Sequence, residues 1–276
     1  MIVQRLAAFS NGNSGGNPAG VVIADTLPSV EEMQSIARDV GFSETAFAAP
    51  SGDHWRVRYF APEAEVPFCG HATIALGAAL AMREGDGTFP LQLNQGNISV
   101  EGRTQGDFYA AALQSPPTRS AIADDQTSAQ ALELFGLSKS DLDARIPVAR
   151  IHGGADHLVI MLKDRATLAA MKYDFTKGQS LMQREGWVTV LLGYAESAQR
   201  FHTRNAFAFG GVYEDPATGA STAAFSGYLR DLGWPHGGRI EVHQGDDMGV
   251  PSRLTAQIGA KKGESIRVSG TARVIG

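Results

Sequence analysis

The run Gly70-His71-Ala72-Thr73-Ile74-Ala75-Leu76-Gly77-Ala78-Ala79-Leu80 is echoed 149 positions later by Gly219-Ala220-Ser221-Thr222-Ala223-Ala224-Phe225-Ser226-Gly227-Tyr228-Leu229, with four identities. An acidic, proline-containing approach precedes each copy: Glu63-Ala64-Glu65-Val66-Pro67 in the first and Glu214-Asp215-Pro216 in the second. Such self-similarity is read before anything else because a duplicated unit fixes the architecture. Both runs are small and apolar on nearly every helical face, the pattern of a helix enclosed by protein. At 276 residues the chain has room for two domains. The expectation is two similar lobes, each wrapped round one small-residue helix, with the two helices starting near each other at an inter-lobe cleft.

Strands supply the wrapping. Gly20 to Ile23, Arg56 to Phe60, Leu91 to Leu93 and Asn97 to Val100 are short runs bounded by Gly, Pro and Asn. In the second half His157 to Leu162, Trp187 to Tyr194, Arg200 to Phe209, Arg239 to His243 and Arg253 to Ile258 have the same character. Ser29 and Glu32 form a capping box ahead of an amphipathic helix that runs to Val40, and Asp164 to Met171 reads as a second surface helix. The consecutive prolines of Gln114-Ser115-Pro116-Pro117-Thr118 mark the boundary. The first lobe then covers residues 1–115, with a C-terminal strand near residues 265–276 as a candidate to complete it, and the second covers residues 119–264.

Composition narrows the function classes. Lys and Arg number 24 against 29 Asp and Glu, and no basic run stands out, so a nucleic-acid footprint is absent. The longest apolar stretch, Thr73 to Met82, is about half of the ~20 residues a bilayer span needs. The N-terminus shows no secretory leader, and a cytoplasmic, non-membrane enzyme is expected. Cys69 is the one cysteine, which excludes an internal disulfide and any cysteine-built zinc cage. His152-Gly153-Gly154-Ala155-Asp156-His157 has no ligand spacing and reads as a turn. Gly12-Asn13-Ser14-Gly15-Gly16-Asn17 lacks the order of a nucleotide-binding loop. No metal and no cofactor are expected.

The chemistry is sought at the two helix starts. A helix N-terminus presents unpaired N–H groups and a partial positive charge, so Gly70-His71-Ala72 and Gly219-Ala220-Ser221 are candidate cradles for a carboxylate. The competing use is simple capping by Thr73, Thr218 or Ser221. In the strand-like run Phe42 to Phe47, alternation places Glu44 on the face of Phe42 and Ala46. Buried there, a carboxylate loses hydration and suits proton transfer near neutral pH; on an edge strand it would simply face water. His71 is either a structural imidazole, with Glu63 or Glu65 close in sequence, or a proton donor beside the cradle. Asp215 is a turn former or an acid that holds a substrate amino or hydroxyl group. Cys69 is a small buried hydrophobe or a thiolate base.

Taken together, Gly16-Asn17-Pro18, Ser43-Glu44-Thr45-Ala46-Phe47, the segment Arg58 to Thr73, Glu214-Asp215-Pro216-Ala217-Thr218-Gly219, and Gln244-Gly245 with Met248-Gly249 and Pro251-Ser252 resemble the PhzF-like (phenazine biosynthesis-like) family. The resemblance implies an α+β chain with the diaminopimelate epimerase-like fold: two pseudo-symmetric lobes, each a barrel-like sheet around a central α-helix. It implies cofactor-free isomerisation and a homodimer. Glu44 matches the family's proton carrier, His71 and Asp215 the assisting residues, and Gly70 and Gly219 the backbone donors to a substrate carboxylate. Ser43, Ala72, Ala220 and Ser221 complete the expected substrate contacts. Ala220 stands where the family often has serine, and Val250 where an arginine commonly follows Met-Gly, which bears on the choice of substrate. The expected reaction moves a proton between carbons of a small amino or hydroxy carboxylate, cyclic or acyclic, in the manner of trans-2,3-dihydro-3-hydroxyanthranilate isomerase. The alternatives are an amino-acid epimerase or racemase and a non-catalytic carboxylate-binding protein.

Overall fold

The computed structural model describes residues 1–94 and 96–276, and the chain forms two compact units, Met1–Gln114 with Val268–Gly276, and Ser115–Arg267. In the first unit the elements run β1 (Gln4–Ala8), β2 (Asn17–Ile23), α1 (Val30–Val40), β3 (Thr45–Ser51), β4 (His54–Phe60), β5 (Glu65–Val66), α2 (Gly70–Glu84), β6 (Gly87–Leu93), β7 (Gly96–Gln105) and β8 (Phe108–Gln114). β1 pairs with β2, β2 with β3, β3 with β4, β4 with β6, β6 with β7 and β7 with β8. The C-terminal strand Arg267–Val274 pairs with both β8 and β1, which closes the ring into a barrel. Its core is α2, buried at every position from Gly70 to Ala81.

Small residues set how closely that helix lies. A Cβ on Gly102 of β7 would run into the Gly77 carbonyl of α2, and one on Gly77 would come 2.5 Å from the Val100 side chain. Helix and strand therefore touch backbone to backbone, a spacing that only glycine permits. On the outside, α1 has the capping box that Ser29 and Glu32 predict and ends at Gly41, whose φ of 69° is the left-handed cap glycine favours.

The second unit runs β9 (Arg119–Ile122), α3 (Asp125–Phe135), β10 (Ala149–His152), β11 (Asp156–Leu162), α4 (Arg165–Ala169), α5 (Phe175–Glu185), β12 (Thr189–Ala195), β13 (Arg200–Ala206), β14 (Glu214–Asp215), α6 (Gly219–Leu232), β15 (Arg239–Gln244) and β16 (Ser252–Gln257); the C-terminal strand is β17. Its sheet wraps α6, which packs on β9, β10, β11 and β16 and is buried from Ser221 to Arg230. Two surface helices, α3 and α5, join the one that Asp164 predicts. Asp124 and Asp174 cap them, and their apolar faces cover Leu158, Ile160 and Leu192.

The echo in sequence is an echo in topology. The pairs β1–β2, β2–β3, β3–β4, β4–β5, β4–β6 and β6–β7 are antiparallel, parallel, antiparallel, antiparallel, parallel and antiparallel. The pairs β10–β11, β11–β12, β12–β13, β13–β14, β13–β15 and β15–β16 repeat that succession. Glu65 lies opposite Phe60, and Glu214 opposite Ala206. Two residues before each of those partners stands an arginine, Arg58 or Arg204, which grips its glutamate with two parallel N–H···O bonds. This duplicated fork anchors the short strand that feeds each central helix. Among the described residues no helix is long and apolar enough to cross a membrane.

Candidate active site

In the first unit, Ser43, Glu44, Cys69 and His71 gather at the start of α2. The chain bends at Phe42 and Ser43, and β3 begins only at Thr45, so the strand predicted from Phe42 is shorter and alternation does not decide where Glu44 points. Nor is β3 an edge strand: it runs between β2 and β4, and the Glu44 carbonyl already accepts from Gly20 N–H at 3.2 Å. Glu44 is consequently buried, 8% exposed, against the water-facing alternative.

Its neighbour is an imidazole. Glu44 Oε2 lies 3.4 Å from His71 Nε2, and Ser43 Oγ lies 3.4 Å from the same nitrogen. On the other side of the ring, Cys69 Sγ is 3.3 Å from Nδ1. Glu44 Oε2 has no hydrogen-bond partner among the described residues. The two glutamates near in sequence play no part: Glu63 is exposed, and Glu65 is held by Arg58 and Asn94, the guanidinium keeping its carboxyl below the usual range. Glu44, Cys69 and His71 each offer a ligand atom, all within 4.8 Å of one another, so a cation-sized spacing coexists with the proton-handling geometry.

The start of α2 is not capped by a side chain: Cys69 is the N-cap residue and makes no capping bond. Thr73, the predicted cap, donates to the Cys69 carbonyl at 2.7 Å, so the Tyr59 hydroxyl must donate to Thr73, 2.6 Å away. Burial holds the Tyr59 phenol protonated well above its usual range. This buried chain fixes the Cys69 carbonyl and leaves the first N–H groups of α2, at Gly70, His71 and Ala72, to water or a ligand.

The second unit builds a different helix start from the same plan. Thr218 is the N-cap residue of α6, the counterpart of Cys69, and it too makes no side-chain cap; its hydroxyl donates to Asp215 Oδ2 at 2.5 Å. Gln244, fully buried, receives Thr218 N–H at 3.1 Å and donates to the Asp215 carbonyl at 2.7 Å and to Thr218 Oγ1 at 3.0 Å. Asp215 is therefore tied to the N-cap residue through its side chain and to Gln244 through its carbonyl. Gly219 is buried, Ala220 half-buried, and Ser221 buried with its Oγ lacking a hydrogen-bond partner among the described residues. The sequence reading missed the Arg58–Glu65 and Arg204–Glu214 forks and the positioning role of Gln244. The signal was there in the glutamate two residues before the proline of each approach, Glu65 before Pro67 and Glu214 before Pro216.

The model of the family described as phenazine biosynthesis-like protein matches residues 6–275. The chain is 30% identical over 289 residues to the uncharacterized isomerase YddE of Escherichia coli, covering 99% of this chain and 96% of the relative. It is 30% identical over 268 residues to the trans-2,3-dihydro-3-hydroxyanthranilate isomerase of Pseudomonas chlororaphis, with 95% and 91% covered. The crystal structure of a Bacillus anthracis phenazine biosynthesis protein of the PhzF family superposes with a TM-score of 0.84 at 24% identity, covering 99% and 96% of the two chains. A hydroxyproline epimerase from Agrobacterium vitis superposes with a TM-score of 0.66 at 11% identity over 99% and 89%, a likeness of fold alone. The chain belongs to the phenazine biosynthesis-like (PhzF-like) family and is an isomerase.

Proposed function

We propose that the enzyme shifts a proton between two carbons of a small amino or hydroxy carboxylate, with Glu44 as the proton carrier. The observation that carries this reading is a buried carboxylate whose Oε2 faces one imidazole nitrogen at 3.4 Å and no hydrogen-bond donor of the right geometry. Such a group is poorly solvated, has a free lone pair, and can accept a proton from carbon. Glu44 takes the proton of an acidified C–H, the electron pair moves into the adjoining π system, and the carboxylic acid so formed returns the proton to a second carbon. The double bond migrates and no electrons leave the substrate. His71 steadies the Glu44 charge through Nε2, and Ser43 contacts the same nitrogen.

In the first unit the uncapped N–H groups at Gly70 and Ala72 are assigned to the substrate carboxylate; in the second unit Gly219, Ala220, Ser221 and Asp215 are the substrate contacts that the family resemblance implies. Ala220 in place of a hydroxyl residue supports a substrate that needs fewer polar contacts there. A homodimer of the kind the family resemblance implies belongs to the same proposal. General acid–base catalysis contributes roughly 10²–10⁴-fold, and amide anchoring of developing charge supplies the remainder.

A second reading rests on Cys69, whose sulfur lies 3.3 Å from His71 Nδ1. With Glu44 and Cys69 on opposite sides of the imidazole, two bases could invert one stereocentre. Thr218 occupies the N-cap position of α6, so a thiol at each helix start is excluded. Incubating candidate carboxylates in heavy water separates the two: deuterium with a displaced double bond supports the shift, and deuterium at one inverted stereocentre with the skeleton unchanged supports epimerisation.

A further inference from the structure

On the second unit, three side chains converge in a way the isomerase chemistry does not use. His202 of β13 stands directly beside His243 of β15 in the parallel ladder, with the ring centroids 5.3 Å apart and the rings at 71°. Asp246, in the turn after β15, completes the group, and one ligand atom from each of the three lies within 4.8 Å of the others.

Glu196 Oε2 is 2.6 Å from His202 Nε2, and a carboxylate can only accept, so Nε2 carries a hydrogen. In the neutral ring, the form that binds a metal, the lone pair is therefore on Nδ1. That nitrogen is buried and has no hydrogen-bond partner among the described residues. A buried acceptor without a donor costs free energy, and an imidazole fixed by a carboxylate behind it is the usual arrangement of a histidine ligand.

From this geometry we propose that His202, His243 and Asp246 form a binding site for one divalent transition ion of the zinc class. Two imidazoles and a carboxylate suit Zn²⁺ and its borderline neighbours rather than Mg²⁺ or Ca²⁺. In a tetrahedral zinc shell the donors are about 3.3 Å apart, given bonds of roughly 2.0–2.1 Å, so the observed spacing needs only rotamer-scale contraction. Water would fill the fourth position. Arg253, which lies beside His243 in the ladder, contacts both oxygens of Asp246 at 2.8 and 3.1 Å. Each carboxylate oxygen keeps a second lone pair for a metal, so Asp246 can serve both, with the guanidinium as a competing cation. A bound ion would clamp β13 to β15 one residue before Gln244, which organises Asp215 and Thr218.

The test is titration of the full-length protein, stripped with chelator and desalted, with ZnCl₂ by calorimetry and with CoCl₂ by absorption. One ion per chain is expected, with visible d–d bands of tetrahedral Co²⁺ and no sulfur-to-metal charge-transfer band. Binding should fall at least tenfold in His202→Ala and in His243→Gln, persist in Cys69→Ala, and tighten in Arg253→Gln. Because His243→Gln keeps a polar side chain of similar reach, its result stands even if His202→Ala folds poorly. Absence of saturable binding would overturn the proposal, as would a charge-transfer band that Cys69→Ala abolishes, which would place the ion at Glu44, Cys69 and His71.

Discussion

The Glu44 carboxylate and the Cys69 thiol sit on opposite edges of one imidazole: Glu44 Oε2 is 3.4 Å from His71 Nε2 and Cys69 Sγ is 3.3 Å from Nδ1. The ring therefore touches both groups and is the one basic side chain within ion-pair distance of Glu44 among the described residues. His71→Ala should lower kcat by about 10²-fold or more with a far-UV spectrum like that of wild type. A kcat near that of wild type would show that the imidazole is structural.

The duplicated arginine–glutamate fork is buried to different degrees, which predicts different costs. Arg204 and Glu214 side chains are 10% and 4% exposed, against 20% and 26% for Arg58 and Glu65. Glu214→Gln leaves a buried guanidinium without its counter-charge and should cost about 3–5 kcal/mol, a drop of roughly 6–20 °C in Tm for a domain of this size. Glu65→Gln, closer to water, should cost well under half as much. Calorimetric melts of the two variants check the ranking.

Gly87 and Gly102 face each other across β6 and β7, yet only one tolerates a methyl group. At Gly87 a Cβ would meet nothing nearer than the Phe89 ring at 3.5 Å, whereas at Gly102 it would strike the backbone of α2. Gly102→Ala should destabilise by about 1–3 kcal/mol and lower kcat by displacing the start of α2; Gly87→Ala should change neither appreciably. Denaturant melts with paired activity assays decide this.

His157 predicts an acid-sensitive second unit. Fully buried and bonded through Nδ1 to Thr189 at 2.8 Å, it is pushed by burial from 6.5 to about 3. The unfolded chain then binds a proton that the native chain refuses, so stability is intact above 6.5 and falls as pH drops from 6.5 toward 3, by up to about 1.4 kcal/mol per pH unit. His157→Asn should flatten that slope, whatever its effect at neutral pH. Equal slopes would mean that other groups govern acid unfolding.

The two small-residue helices were legible in sequence because being apolar on all sides leaves a helix no solvent face, and the capped helix at Ser29 because its cap is local chemistry. The burial of Glu44 was not. Alternation from Phe42 gave no answer, since the bend at Phe42 and Ser43 ends the period-2 pattern and β2 and β4 enclose β3. Thr73 and Thr218 illustrate the same limit. Each is a plausible cap by type and position, but long-range groups, Tyr59 in one case and Gln244 in the other, draw them into different bonds. Sequence shows what a side chain can do nearby, and tertiary pairing decides among the options.

The account rests most heavily on Glu44 as the carrier of the proton. Once a carboxylate substrate is found, wild type and Glu44→Gln should be compared in heavy water by mass spectrometry and NMR. The account predicts that the variant binds the substrate and folds normally but loses both isomerisation and deuterium incorporation, by 10³-fold or more on the general acid–base scale. Turnover and deuterium uptake by Glu44→Gln at rates near wild type would contradict it.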